Sequence, residues 1–181
     1  KKEYARAWWN KLKSGCAVYG VFWDGGKLHG LGDIDIRSMD VLNLFWEPGV
    51  QDIQASENFF SVELTPNHRL LRDYPQLEGK LGRGGASQVS RYLYDDRVDT
   101  SDQSLVVDWY YHTVTEGRQV LHYCKFVGET VLYASENDPQ YEKRGWYDHG
   151  QYPFVFDVLF PEEGTPCGYG YIDLCKSPQK Q

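Results

Sequence analysis

Residues Ser104 to Ser135 read SLVVDWYYHTVTEGRQVLHYCKFVGETVLYAS. Three runs rich in Val, Leu, Tyr, Phe and Trp are cut by Thr115-Glu116-Gly117 and by Gly128-Glu129. β-branched and aromatic side chains suit a pleated surface, and turns this short join antiparallel neighbours. The stretch predicts a three-strand meander and places an antiparallel sheet at the centre of the fold.

On the C-terminal side, Glu136 to Tyr152 reads as a long polar and aromatic loop. Pro153 to Phe160 (PFVFDVLF) reads as a strand, and Tyr169 to Leu174 as the last one. On the N-terminal side, Glu3 to Lys13 reads as an amphipathic helix. Tyr4, Trp8 and Leu12 share one face at i, i+4 and i+8, and Ser14-Gly15 ends it. Cys16 to Trp23 predicts a buried strand and Asp24-Gly25-Gly26 a hairpin turn. The partner strand begins near Lys27 to His29 or after Gly30-Leu31-Gly32. In Asp33 to Arg37 (DIDIR) the alternation turns Ile34 and Ile36 toward a core. Asn43 to Trp46 is a short apolar piece stopped by Pro48-Gly49, and Phe59 to Leu64 is a strand. Thr65 as N-cap and Pro66 at the first helical position predict a helix that stops before Pro75. Ala86 to Tyr94 reads as a short helix and Asp95 to Asp102 as a solvated acidic loop. The fold class expected is α+β, with mainly antiparallel sheet in meander and hairpins and a few short helices. The 181 residues suffice for one domain, with two sub-lobes, 1–76 and 103–181, joined by a less ordered 77–102 segment.

A chain of this length can bury a core without disulfides or metals. Its aromatic content of 15% again favours strands. The net charge of −7 speaks against a free-standing nucleic-acid binder, whose affinity rests on basic phosphate contacts. The apolar runs are too short to span a bilayer, and Lys-Lys-Glu-Tyr leads into a polar helix rather than a secretory leader. The four cysteines, Cys16, Cys124, Cys167 and Cys175, lie at wide spacings without a CxxC pair. Together with the missing leader, this predicts reduced thiols.

Few residue patterns suggest chemistry. Asp33 and Asp35 share one strand face, where paired carboxylates could do acid–base work or hold a metal; the alternation reads more simply as a wet face. Asp108 and His112 lie two pleats apart, too far for a direct dyad. His149 with Cys167 and Cys175 matches no usual zinc spacing. The Cys167 to Tyr171 run (CGYGY) lacks the Gly-Lys-Ser/Thr of a phosphate cradle, and neither G-x-S-x-G nor H-E-x-x-H occurs. No catalytic, metal or cofactor residue is expected. Trp109, Tyr110, Tyr111 or Trp146 could serve as stacking platforms of a β-domain that binds carbohydrate or peptide, although consecutive strand residues point to opposite faces. Trp8 and Trp9 are the candidate protein interface: neighbours on a helix cannot both face one core.

The order VFWDGGKLHGLGDIDIRSMDVLNLFWEPGVQDIQASENFFSVELTPNHRLLRDYP resembles the portal proteins of tailed bacteriophages and prophages. In that family a strand ending like VxWD leads through a glycine-bearing hairpin to a GDI strand. An N-x-F-x-x-P-G turn, a D-I-x-x-A segment, an aromatic strand and a helix ending in YP follow. Here these are Val21 to Asp24, Gly32 to Ile34, Asn43 to Gly49, Asp52 to Ala55, Phe59 to Leu64 and Pro66 to Pro75. The stretch LYASENDPQY and the run from Gly145 to Gln179 match the part after the sheet, while 77–102 is unmatched. The resemblance implies a truncated middle part of a portal, close to the wing region, with a structural and non-enzymatic role. It implies a dodecameric ring at the capsid vertex through which DNA is packaged and ejected. The implied partners are further copies of the chain, terminase, scaffold and head-completion proteins. Double-stranded DNA would pass without sequence-specific binding, helped by an acidic wall, and no membrane would be involved. The implied location is the virion, after assembly in the bacterial cytoplasm. The alternative is the aromatic β-domain for carbohydrate or peptide.

Overall fold

The computed structural model describes residues 1–81, 102–176 and 178. They form three helices and ten strands in antiparallel sheets, an α+β fold. Two compact units interleave along the chain. The first comprises Lys1–Val41, Trp46–Ser56 and Tyr152–Gln181, and the second Leu42–Phe45 and Glu57–Gln151.

The second unit is built on the meander. A five-stranded sheet runs in the order β3 (Leu44–Trp46), β4 (Asn58–Pro66), β5 (Gln103–Thr115), β6 (Arg118–Val127), β7 (Thr130–Ala134). The β5–β6 turn is set by Glu116 and Gly117, both at positive φ (52° and 77°), between the paired Thr115 and Arg118. Two successive positive φ values give the hairpin twist that adjoining strands need, and Gly at the second position removes most of the steric cost. A register shift between Lys125 and Phe126 kinks the β6–β7 pairing.

The two faces of this sheet differ. Phe59, Val106, Tyr110, Leu121 and Val127 are buried on one. There Leu70 of α2 (Asn67–Asp73), Leu77, Val106 and Val127 form a core cluster joined by Tyr74, Leu81 and Leu132. On the other face Phe60, Trp109 and Tyr111 stand in a row, with Phe60–Trp109 centroids 5.8 Å apart and Trp109–Tyr111 centroids 4.2 Å apart.

The first unit holds a three-stranded sheet in the order β2 (Asp33–Met39), β1 (Cys16–Asp24), β8 (Phe154–Val158), with helix α1 (Lys2–Ser14) packed on it. One face buries Val18 and Phe154, with Phe22 edge-on to Phe154 at 5.9 Å and Trp46 edge-on to Phe156 at 5.3 Å. The short strands β9 (Phe160–Pro161) and β10 (Gly168–Tyr169) pair with each other, and α3 (Tyr171–Cys175) follows.

Several expectations change. Of the two expected starts for the partner of β1, the one after Gly32 holds: the strand begins at Asp33, and the connection runs from Gly25 to Gly32, with a 3-10 turn at Leu28–Gly30. Ile34 and Ile36 do not face a core; both are more than half exposed. Thr65 is not the N-cap of α2, and Pro66 is not its first helical residue. They continue β4, because Ser104 and Gln103 of β5 still pair with them, and Pro66 is only the N-cap residue, without a side-chain cap bond. The helix start is instead fixed by the Asn67 amide, which donates to the Asp102 carbonyl at 2.9 Å. Tyr169 to Leu174 is not a strand. After β10 the chain turns helical, with the Gly170 amide donating to the Asp173 carboxylate at 3.2 Å. The Pro153 to Phe160 strand divides into β8 and β9. The expected helix at 86–94 and the acidic loop up to 101 lie outside the described residues.

Candidate functional site

Helix α1 contradicts its own hydrophobic stripe. Tyr4 and Trp8 stack at 6.5 Å, yet both are exposed. The inward face is one residue out of phase, at Glu3, Ala7 and Lys11. Ala7 is fully buried, which brings the helix close to the sheet. Glu3 accepts the Ser38 amide at 3.0 Å, and Lys11 pairs with Asp157 at 2.5 Å. A small residue between two charged ones, spaced i, i+4 and i+8, was the sequence signal for this docking. Trp8 is 45% exposed and Trp9 60%. Lys11 lies 5.7 Å from the centre of the Trp8 ring, and Lys13 lies 5.9 Å from that of Trp9. These cations steady the rings without burying them.

The sheet face under α1 is covered at one end only. Strand alternation puts Ala17, Tyr19, Val21 and Trp23 on one side, and registers place Asp157, Ser38, Ile36 and Ile34 opposite them in that order. The helix contacts reach Asp157 and Ser38. Beyond them Trp23 (64%), Ile36 (53%) and Ile34 (56%) remain open. The adjoining hairpin exposes Leu28 and Leu31, and Leu28 and His29 hold positive φ. Sequence reading missed this group because alternation alone cannot tell which face is covered. Apolar Leu28 and Leu31 inside a glycine-bounded turn, where little burial is available, were the available clue.

The edge of β2 is closed to strand addition. Asp33 accepts the Ile34 amide at 2.8 Å, Lys27 donates to the Ile34 carbonyl at 3.2 Å, and Glu3 takes the Ser38 amide. Charged side chains on an edge strand discourage backbone pairing with another chain. Along this edge β2 therefore offers side chains rather than a free backbone ladder.

The remaining candidate residues are engaged in structural contacts. Asp35 receives Lys27 at 2.7 Å and also Arg37, and these bonds, Lys27 first, hold its carboxyl below the usual range. Asp108 accepts the Tyr123 hydroxyl at 2.6 Å and Lys125 at 3.1 Å. His112 Nε2 instead meets the Gly150 carbonyl at 3.0 Å, so the two do not form a dyad. His149 accepts the Gln151 amide through Nδ1 at 3.0 Å and stacks on Tyr147. Among the described residues no three His, Cys, Asp or Glu side chains are grouped to hold a metal. Tyr110 is buried; burial first, then the Asp108 charge, pushes its hydroxyl pKa up. Trp146 packs against Tyr123, Tyr133 and Tyr141, with centroids at 4.9, 5.5 and 4.9 Å, and is no free platform. Trp109 and Tyr111 stack on each other. Beside Trp109 lies an open cleft of about 290 Å³ lined by Phe60, Cys124, Phe126 and Val131.

No helix among the described residues is long and apolar enough to cross a membrane. In comparison with known proteins, no family model and no curated protein matches this chain.

Proposed function

We propose that this chain is a structural part of a larger assembly, the wing-like portion of a phage portal ring through which DNA is packaged and ejected. The observation that carries the reading is the surface of the first unit. Trp8, Trp9, Trp23, Ile34 and Ile36 are exposed, while the neighbouring strand edge is blocked by charge. Exposed apolar groups in such number suit packing against a partner through side chains. The resemblance of Val21 to Pro75 to portal sequences supports the same reading. Its strand, hairpin, Pro-Gly turn, aromatic strand and helix before Pro75 correspond to β1, β2, the Pro48-Gly49 turn, β4 and α2. The proposed partners are further copies of the chain, terminase, scaffold and head-completion proteins. DNA passes by without base readout, in keeping with the net charge of −7.

The test is the genomic neighbourhood together with imaging of the protein expressed from the whole gene. A terminase gene upstream, a scaffold or protease gene downstream, and ring particles by electron microscopy are expected. A neighbourhood of glycan-degrading genes, with a particle that is never a ring, would overturn the reading.

The second reading, an aromatic β-domain for carbohydrate or peptide, has one observation in its favour: the apolar cleft beside Trp109 and Phe60. Sugar rings need free aromatic faces, and here those faces stack on one another. A peptide side chain suits the cleft better than a sugar. A glycan array and a peptide array discriminate between the two.

A further inference from the structure

Cys16 opens β1 directly after Gly15, the residue that ends α1. The chain returns to this spot 150 residues later. Gly168 packs so closely that a Cβ there would lie 1.9 Å from the Phe160 carbonyl and 2.5 Å from Val158 Cγ1, and Val158 is the strand partner of Cys16. A Cβ on Gly170 would lie 2.5 Å from the Lys13 carbonyl, and one on Gly15 2.3 Å from the Tyr169 carbonyl carbon. Backbone contact on this scale fixes the 167–170 segment against 13–16. It sets the half-buried Cys167 on a segment next to the buried Cys16, whose thiol also reaches the Ala17 carbonyl at 3.8 Å.

The two sulfurs differ. Cys16 is buried, whereas Cys167 is half-exposed. The neighbouring Cys167 thiol first, and burial after it, push the Cys16 thiol pKa up. The neighbouring Cys16 thiol first, and the Thr165 hydroxyl after it, draw that of Cys167 down against the opposing effect of its burial. The more accessible sulfur is thus the one of the two that ionises more readily, which is the arrangement of a reactive thiol beside a resolving one.

We propose that Cys167 and Cys16 form a thiol-modification site, at which Cys167 takes up a small disulfide such as oxidised glutathione and Cys16 resolves the adduct into an internal disulfide. The Cys167 thiolate attacks one glutathione sulfur, the S–S bond breaks, and one glutathione leaves as thiolate. Cys16 then gives its proton to that thiolate and attacks the Cys167 sulfur, and the second glutathione leaves and is protonated by water. In sum, the two protein thiols are oxidised by one electron each, and one glutathione disulfide becomes two glutathione thiols. The bond staples the α1–β1 junction to the segment leading into α3, which packs on α1. It thereby ties down the helix that presents Trp8 and Trp9, whatever that helix meets.

The experiment treats the reduced protein with oxidised glutathione at neutral pH and maps it without reductant by mass spectrometry. All four cysteines start free, and the titratable thiols should fall from four to two through a Cys16–Cys167 linkage. The Cys16→Ser variant should stop at a mixed disulfide on Cys167, and Cys167→Ser should form neither product. Because a buried substitution can impair folding, a second measurement uses the unaltered protein. Under brief native alkylation Cys167 should react several-fold faster than the exposed Cys175. Cys175 reacting as fast or faster, a linkage through Cys124 or Cys175, or Cys16 and Cys167 both staying free would each overturn the proposal.

Discussion

The five-stranded sheet and the three-stranded sheet solve the same problem differently. In the larger one, long strands carry a buried face under Leu70 and Leu77, and the opposite face fills with rings that stack on one another. Its apolar side chains mostly find partners within the unit. In the smaller one a single helix covers part of one face through Ala7, Glu3 and Lys11, and leaves Trp23, Ile34 and Ile36 in solvent. The contrast teaches where to look for function. A surface that remains apolar after folding is where a partner gains most from binding.

The largest expected effect lies in the larger sheet. Phe59 is fully buried, and Phe59→Ala removes the side chain and leaves a cavity. We expect a loss of about 3–5 kcal/mol, read as a fall in the denaturant midpoint. A loss below about 1 kcal/mol would break the contrast, because the larger unit would then not depend on its own core.

Next is the docking of α1. Ala7→Leu inserts three carbons where the helix meets the sheet. Overpacking of this kind costs about 1–3 kcal/mol, and here it also strains the Glu3–Ser38 and Lys11–Asp157 contacts. Circular dichroism on melting should show the loss. Were Ala7→Leu neutral and Trp8→Ala strongly destabilising, the inward face of α1 would be the Tyr4–Trp8–Leu12 stripe after all.

A smaller effect should appear with pH. His122 is buried on the aromatic face of the larger sheet, its Nδ1 3.0 Å from the Ser135 hydroxyl. That hydroxyl also accepts the Tyr123 amide at 2.9 Å, and a neutral imidazole nitrogen can take its O–H, which a charged ring cannot. Burial lowers the His122 pKa, and the Glu136 charge opposes this in part. The unfolded chain, titrating near 6.5, therefore binds a proton that the folded one refuses. Stability should be at its full value above pH 6.5 and fall as the pH drops below it, down to the folded pKa. His122→Gln should flatten melting temperature against pH in that window. A wild-type profile already flat there would refute the assignment.

Much of the fold was legible in the sequence, because turn chemistry and alternation are local. Glu116-Gly117 and Pro75 mark boundaries that the structure keeps. Expectations failed where tertiary context decides between two local options. Pro66 can start a helix or end a strand, and pairing with Gln103 of β5 selects the strand. Ile34 and Ile36 alternate as a core strand should, but alternation names two faces without saying which is covered. The helix stripe failed for a similar reason. Apolar periodicity located Tyr4 and Trp8, while the contacts that orient α1 are a buried alanine and two charges reaching the distant Ser38 and Asp157. The proposed thiol pair was illegible because the segments carrying Cys16 and Cys167 come together only through close backbone packing of opposite ends of the chain.

The smallest effect on stability should come from the exposed side chains, and there the test concerns association instead. Trp8→Ala with Trp9→Ala removes two rings that contact solvent and the Lys11 and Lys13 ammonium groups. Each cation–π contact at an exposed site is worth about 0.5–1 kcal/mol, so the folded state should survive the double change. Ile34→Ser with Ile36→Ser removes only exposed apolar surface and should fall within about 0.5 kcal/mol of the parent. In the proposed ring each subunit would have two interfaces, so a chain holding only part of that contact area would lose the gain from closure as well. We therefore expect the 181-residue chain to run as a monomer or a weak small oligomer at micromolar concentration, by light scattering after size exclusion. Both double variants should shift any such oligomer toward monomer with melting nearly unchanged. A stable twelve-membered ring from this chain alone, untouched by either pair, would place the contacts of the proposed ring elsewhere on the molecule. Unfolding of both single tryptophan variants would show that Trp8 and Trp9 belong to the core of the smaller unit, and the contrast between the two sheets would fall with it.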